Sequence, residues 1–265
     1  MTEVIGPKRT WNEGVVCKGP TLPPLRTATR TDSDSWDAAY SREIRNHDED
    51  ADDEGTVWFS ESGAEEAILE QLDALEEQGM LRRALNASSG QKPSTFLDLG
   101  TGNGHLLFSL CEEDEEGKCW NGEMFGIDYS AISVQLARRI ASTKAADSVR
   151  FDKWDLLSEP PGAWLRDGFD VVLDKGTFDA ISLMPHSGSL RHPCDVYREK
   201  VVPLIVPGGL FVITSCNWTK DELLDWLTPQ DGELQYYSEA KYPTFTFGGH
   251  TGQSIVTVVL RKGRP

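Results

Sequence analysis

Residues 94–110 form the stretch STFLDLGTGNGHLLFSL, whose pattern gives the clearest structural signal in the chain. The apolar run before residue 100 ends at a glycine, which is typical of a short buried strand. Gly100, Gly102 and Gly104 follow in alternation and permit a tight turn. The apolar residues after the last glycine predict a helix. We therefore expect a strand, a glycine turn and a helix in direct succession.

The same alternation continues towards the C-terminus. Strands are predicted at MFGIDYS (124–130), VRFDKWDLL (149–157), FDVVLDKG (169–176) and GGLFVITSC (208–216), with helices between most of them. The helix predicted at 194–207 contains Pro203, which predicts a kink or an early end. Alternating strands and helices predict a mostly parallel sheet with helices on both faces. The last two strands, LQYYSEA and SIVTVVLRK, have no helix between them, so an antiparallel hairpin is expected at the edge.

The N-terminal part has a different composition. Residues 1–34 are rich in turn-forming residues and are predicted to be a flexible segment, whereas 35–265 are predicted to form one domain. That domain begins with two helices. The first presents Trp36, Tyr40 and Ile44 on one face, and Trp36 is placed either over a ligand site or simply against the core. The second has its apolar face at Ala67, Ile68, Leu72 and Leu75, with Ser60 or Ser62 as its N-cap. The acid-rich stretch 48–54 between these helices is predicted to be a solvated loop.

The net charge of −17 limits the partners of this protein. Phosphate backbones and anionic lipid surfaces would be repelled, so we expect neither direct nucleic-acid binding nor membrane docking. A basic protein would be attracted, although acidic residues most often serve solubility alone. The five cysteines include no CxxC pair, and no apolar run approaches 18 residues. We expect no metal site and a reducing compartment, the cytoplasm by default, with the nucleus left open.

The spacing of the glycines points to a particular ligand. Pyrophosphate-binding turns have the pattern G-x-G-x-x-G, with two residues between the second and third glycines. Here only Asn103 separates Gly102 from Gly104. Asp98, two residues before Gly100, suits a cationic amino-acid group better than a phosphate. This arrangement resembles motif I of the class I methyltransferases, which bind S-adenosyl-L-methionine. A purely structural turn between strand and helix is the alternative.

Two further acids follow the next two predicted strands, where ligands bind in open α/β sheets. Asp128 ends the second strand and is expected to accept hydrogen bonds from ribose hydroxyls, unless it caps the following helix. Tyr129 is expected to pack on the adenine. Asp155 is expected to accept from the adenine amino group, with Trp154 or Leu156 covering the base. Core packing is an equal alternative for Trp154.

Several longer stretches are similar to the eukaryotic seven-β-strand protein-lysine methyltransferases that act on translation elongation factor 1-alpha. They are VWFSE, LDLGTGNG, GIDYS, DKGTFDAISL, TSCNWTKDEL and FTFGGHTGQSIV, and they span nearly all of the folded region. The resemblance implies a Rossmann-like class I methyltransferase fold with strand order 3-2-1-4-5-7-6 and the last strand antiparallel. It also implies S-adenosyl-L-methionine as cofactor and a protein lysine as acceptor. Together with the net charge, it predicts a folded basic protein as substrate, most simply elongation factor 1-alpha.

The acceptor lysine of such an enzyme must lose its proton, and an apolar channel favours the neutral amine. Asp174 and Asn217 are the polar candidates near the acceptor, with Asp174 orienting its ammonium group, and Trp218 completes the candidate catalytic set. Trp58 and Asp174 are also expected to border the cofactor. The candidates for the aromatic channel are Trp58, Phe59, Phe178 and Trp218, each with core packing as its alternative.

The remaining residues of this region have plainer expected roles. Lys175 is expected to pair with a neighbouring acid, and Asp179 to start a helix without a chemical role. No general base is assigned. A small-molecule methyltransferase and a non-catalytic binding module are the competing functions.

Overall fold

The computed structural model describes residues 32–84, 90–114, 116–184, 191–229, 232–243, 245–247 and 250–264. Seven strands form one sheet in the order β3-β2-β1-β4-β5-β9-β6. They are β1 Phe96–Leu99, β2 Met124–Asp128, β3 Val149–Lys153, β4 Phe169–Lys175, β5 Ile205–Ser215, β6 Leu234–Glu239 and β9 Val256–Lys262. Two short strands, β7 Phe245–Phe247 and β8 His250–Gly252, pair separately.

The sheet is parallel from β3 to β5, and β9 is antiparallel to both β5 and β6. This confirms the predicted α/β fold and the strand order that the resemblance implied. The antiparallel hairpin of β6 and β9 is also confirmed, with β9 one place inside the edge. The β7–β8 pair was not predicted.

Helices cover both faces of the sheet, as predicted. They are α1 Asp32–Glu49, α2 Ala64–Glu77, α3 His105–Cys111, α4 Ala131–Thr143, α5 Thr177–Ser182, α6 Pro193–Val201 and α7 Lys220–Leu227. The helices α1 to α4 share one apolar core with one sheet face, and α5 to α7 share a second core with the other face. Neighbouring strand residues therefore enter different cores, as Phe96 and Leu97 do. No described helix is long and apolar enough to cross a bilayer.

Local sequence explains most helix boundaries. Helix α6 ends at Val201, and a single 3-10 turn that contains Pro203 leads into β5, so the predicted early end is confirmed. The N-cap prediction for α2 is wrong. Ser60 and Ser62 lie in a separate 3-10 turn, and Gly63 precedes the helix in a left-handed conformation (φ 65°) without a side-chain cap.

The N-terminal region differs from the prediction in two ways. Helix α1 begins at Asp32, three residues before the expected boundary, while residues 1–31 of the predicted flexible segment lie outside the described residues. The acid-rich stretch is solvated, as predicted, at residues 50–52, but it begins within α1 and two of its acids pair with basic residues. Asp48 pairs with Arg139 of α4, and Glu54 with Lys144 at the end of α4 (2.6 Å). The first ion pair links the end of α1 to α4, and the second links the following connection to the end of α4.

Candidate active site

The carboxyl ends of the parallel strands meet at one edge of the sheet. Leu99 of β1 is in register with Ile127 of β2 and with Asp174 of β4, and Asp128 is in register with Lys153 of β3. The predicted site residues on these strands are therefore brought to a common edge. Ligands of open α/β sheets bind at this edge.

The turn between β1 and α3 can be built only with glycine at two positions. Gly100 and Gly104 both have left-handed backbones (φ 64° and 84°). A Cβ at Gly100 would lie 2.1 Å from Thr177 Oγ1, and one at Gly104 would lie 2.7 Å from the Phe151 ring. The glycine spacing therefore lets the turn pack against both β3 and the β4–α5 turn.

Asp98 lies beneath this turn and is buried, with 3% of its surface exposed. Burial raises the pKa of Asp98 to about 7, while the nearby charge of Lys175 opposes that rise. The predicted ion pair of Lys175 is confirmed, with Glu65 of α2 as the acid (3.3 Å). Glu65 also contacts His105 Nδ1 at 2.6 Å. The pKa of Glu65 is lowered, because these partners outweigh the effect of its burial.

Asp128 ends β2 beside the glycine turn. Its Oδ2 accepts from the Gly102 N–H (3.1 Å) and its Oδ1 from the Ser130 N–H (2.8 Å). Burial raises the pKa of Asp128. The side chain of Ser130 accepts from Ser133 N–H and caps α4, so the alternative role of Asp128 as the cap is wrong. Asp128 remains a candidate for the ribose contact.

Residues after β3 are mostly packed inward. Trp154 is 4% exposed and its indole Nε1 donates to Pro160 O (2.9 Å), and Leu156 is buried in the same core. This placement favours the core-packing alternative for Trp154. Asp155 accepts from Leu157 N–H (2.9 Å) and from the Ser158 hydroxyl (2.6 Å). By contrast, 42% of the Tyr129 surface is exposed beside the end of β2.

The turn after β4 differs from the expectation. Asp174 is 1% exposed, and its carboxylate accepts from Thr177 N–H (2.8 Å), Phe178 N–H (3.0 Å) and the Tyr197 hydroxyl. Burial raises the pKa of Asp174 to about 7. This geometry argues against contact between Asp174 and an acceptor or cofactor and favours a role in starting α5. Phe178 is 1% exposed, so it belongs to the core and not to a channel wall.

Aromatic side chains flank the β4–α5 turn on two sides, with Trp58 and Phe59 on one and Trp218 on the other. On one side, Phe59 lies against Gly176, where an added Cβ would be 3.0 Å from its ring, and Lys175 Nζ donates to Trp58 O (2.9 Å). On the other side, the Trp218 ring lies 6.0 Å from that of Phe178. Trp58, Phe59 and Trp218 are all partly buried. Asn217, next to Trp218, is exposed at the end of β5.

Helix α1, for which the sequence predicted Trp36 either over a ligand site or against the core, lies over the glycine turn with Tyr40 and Asp37. The Tyr40 hydroxyl would be 3.1 Å from a Cβ at Gly102, and Asp37 accepts from the Ser130 hydroxyl. The pKa of Tyr40 is raised well above its usual range, by burial and by the charge of Asp128. Trp36 stacks on Tyr40 and its ring lies 5.0 Å from that of Trp58. The first helix therefore covers the glycine turn, and the contacts of Trp36 with Tyr40 and Trp58 favour its predicted place over the site.

Comparison with known proteins agrees with this geometry. Residues 91–263 match the methyltransferase domain family. The protein-lysine N-methyltransferase EFM4 of Saccharomyces cerevisiae is 40% identical over 86% of this chain and 92% of its own length. EEF1A lysine methyltransferase 2 of Homo sapiens is 32% identical over 86% of this chain and 84% of its own length.

A solved structure gives the fold. The TehB-like SAM-dependent methyltransferase of Corynebacterium glutamicum superposes with a TM-score of 0.51 at 15% identity, over 85% of this chain and 97% of that one. The chain is thus a methyltransferase of class I fold. More narrowly, it belongs to the family of protein-lysine N-methyltransferases that includes EFM4 and EEF1A lysine methyltransferase 2. The predicted family and enzyme class are confirmed.

Proposed function

We propose that this chain binds S-adenosyl-L-methionine across the ends of β1 to β3 and transfers its methyl group to a lysine of elongation factor 1-alpha. The observation that carries the proposal is the left-handed glycine turn set between the buried carboxylates Asp98 and Asp128. The names of the relatives, which specify protein lysine and EEF1A, support the choice of acceptor.

The residues at this edge fit the cofactor. Each oxygen of Asp128 accepts one backbone N–H and retains a lone pair, which leaves acceptors for two ribose hydroxyls. Asp98 supplies a carboxylate for the ammonium group, and the glycines keep side chains out of the turn. Tyr129 and Asp155 are the proposed adenine contacts, and Trp58 borders the same region. When bound, S-adenosyl-L-methionine supplies an electrophilic methyl group.

The protein has to deliver a neutral lysine nitrogen in line with that group. A free lysine has a pKa of about 10.4, so only about one in 2,500 is neutral at pH 7. Trp58, Phe59 and Trp218 would exclude water around the lysine stem and lower its pKa. Asn217 offers an amide oxygen to the amine, and the proton leaves to water before transfer. Positioning then accounts for most of the acceleration.

The acidic surface supports a basic, folded partner. Exposed acids follow the aromatic residues on both sides of the turn. Glu61 and Glu66 follow Phe59, and Asp221 and Glu222 follow Trp218. None of these four carboxylates is in an ion pair within the described part of the chain. We propose that they face the basic surface around the target lysine, in the cytoplasm, and that neither nucleic acid nor membrane is bound directly.

The test is methyl transfer from labelled S-adenosyl-L-methionine. The purified chain is incubated with purified elongation factor 1-alpha and, separately, with lysate from cells that lack the endogenous enzyme. We expect one labelled protein band, with the label on lysine by mass spectrometry. Label found only in the small-molecule fraction would overturn the proposed acceptor and favour a small-molecule methyltransferase. Binding of the cofactor without any transfer would indicate a non-catalytic module.

A further inference from the structure

Asp179 is a buried carboxylate that the proposed chemistry does not use. It lies on α5 with 5% of its surface exposed, and sequence spacing predicted no chemical role for it. Its Oδ1 accepts from the Ser215 hydroxyl (2.5 Å) and its Oδ2 from Cys216 N–H (2.8 Å). A carboxylate is seldom buried unless it satisfies particular donors. Here both donors belong to the end of β5, not to the helix that carries Asp179.

The contact continues from Ser215 into the following loop. Ser215 is fully buried, and its Oγ accepts from Asn217 N–H (3.1 Å) and Trp218 N–H (3.0 Å). Because its own proton goes to Asp179, both lone pairs of the hydroxyl are free to accept these two amides. The carboxylate thereby determines the orientation of the hydroxyl, and the hydroxyl holds the backbone of both residues.

We propose that Asp179 is a positioning residue, which acts through Ser215 to hold Asn217 and Trp218 at the acceptor side of the site. This inference rests on the proposed function, since it names a residue that orients the acceptor-binding loop of that reaction. The role requires a carboxylate. An asparagine would place an N–H₂ group against one of two buried donors, and that donor would lose its acceptor.

The first test is Asp179→Asn in the full chain, assayed with elongation factor 1-alpha. A displacement of about 1 Å in the loop can cost on the order of 100-fold in rate, so we expect kcat to fall at least about tenfold. The dissociation constant for S-adenosyl-L-methionine should change less than about twofold, because the loop after β5 is not in the proposed cofactor site. A purely structural role would lower thermal stability without this separation of kcat from cofactor affinity.

A matched control comes from the opposite end of β4. Asp170 also accepts from one amide and one hydroxyl, those of Thr95 (2.9 and 3.1 Å), far from the site edge. Both donors bond Oδ2 of Asp170, so the amide oxygen of an asparagine can keep both contacts. Asp170→Asn therefore makes the same charge change without leaving a donor unpaired, and it should leave kcat within about twofold of the parent. Ser215→Ala should reproduce the kinetic defect of Asp179→Asn. The double variant should be little worse than either single one, because residues that act as one unit have non-additive effects.

Amide hydrogen exchange tests the positioning directly and does not depend on the acceptor. In Asp179→Asn and Ser215→Ala, the amides of Asn217 and Trp218 should exchange at least about tenfold faster, as expected for a lost buried hydrogen bond. They should be unchanged in Asp170→Asn. Unchanged exchange in Asp179→Asn, or an equal loss of kcat in Asp170→Asn, would overturn the inference. If the parent chain transfers no methyl to lysine, the proposed function fails, while the exchange data still decide the role of Asp179.

Discussion

Asp98 shows how burial prepares a single side chain for a charged ligand. In the free protein, desolvation brings its pKa to about 7, so that near neutral pH the carboxyl is only partly ionised. Lys175, Glu65 and Asp128 are the charged groups around it, and only Lys175 favours ionisation. A ligand ammonium prefers the ionised form. Cofactor binding should therefore release a proton from Asp98 at pH values below its pKa.

Proton release from Asp98 predicts that the affinity for S-adenosyl-L-methionine falls as pH is lowered from 7 to 6. The fall is about fivefold for a pKa of about 7. The ammonium of the ligand stays protonated in this range, so the change reports on the protein. Calorimetry at several pH values gives the affinity, and buffers of different ionisation enthalpy give the proton count. Asp98→Asn should bind more weakly and without this dependence. An equal pH dependence in Asp98→Asn would assign the proton to another group.

A second prediction at this scale concerns the proposed ribose contact. Asp128→Ala should weaken cofactor binding by about 10- to 100-fold, since hydrogen bonds to a charged group contribute about 1.5–3 kcal/mol. The charge-matched control is Asp152→Ala, because Asp152 is half exposed on β3 and pairs only with Arg138 among the described cations. Calorimetric titration with S-adenosyl-L-methionine measures the affinity of both variants. Affinity at the level of the parent chain in Asp128→Ala would remove the ribose assignment.

Helix α1 has a role that extends beyond its sequence pattern. Its spacing predicts an apolar face with Trp36 over the site or against the core, and Tyr40 and Asp37 of the same helix also reach the glycine turn and the start of α4. A chain that begins at Asp32 should bind the cofactor as the full chain does. A chain that begins at Ala51 lacks α1 and should lose at least about tenfold in affinity, the equivalent of about 1.4 kcal/mol of lost contacts.

Calorimetry measures these affinities, and circular dichroism verifies that each truncated chain is folded. If the chain without α1 does not fold, Trp36→Ala provides the same comparison within the intact domain. Weak binding by the chain that starts at Asp32 would show that residues 1–31 take part. Undiminished binding by both the chain without α1 and Trp36→Ala would show that α1 is not a cover for the site.

The sequence predicts those elements that neighbouring residues determine. It does not predict contacts between residues that are far apart in the chain. The strand at 96–99 and the turn after it follow from neighbouring residues alone. The contact of Tyr40 with Gly102 and that of Asp179 with Ser215 join residues far apart in the chain, so no local pattern contains them. Asp174 occupies the expected strand end, but its burial depends on Tyr197 of a later helix. The start of α2 was missed because its turn depends on the backbone of Gly63.

At the scale of the molecule, the net charge of −17 should increase the rate at which this protein associates with a basic substrate. Attraction to a basic protein accelerates association, and the screening length falls from ~10 Å at 0.1 M salt to ~3 Å at 1 M. We expect kcat/KM for elongation factor 1-alpha to fall severalfold over this range. The cofactor affinity, whose contacts are enclosed, should change much less. Steady-state kinetics at increasing ionic strength measures both.

The matched control is a short unfolded peptide that carries the target lysine. It should be a much poorer substrate at low salt, because it presents less positive charge and no folded surface. A value of kcat/KM that does not depend on salt would exclude steering by charge. Equal activity on the peptide would show that the enzyme does not recognise a folded surface.

The position of β9 has a consequence for how the chain is made. β5 and β6 leave the ribosome first, yet each pairs with β9 and neither pairs with the other. Until β9 emerges, the nascent chain carries an unpaired edge along β5, one of the most apolar strands. Such an edge is prone to pair with other chains. The sheet therefore closes only when β9 emerges, and until then the incomplete chain should depend on chaperones that bind exposed apolar strands.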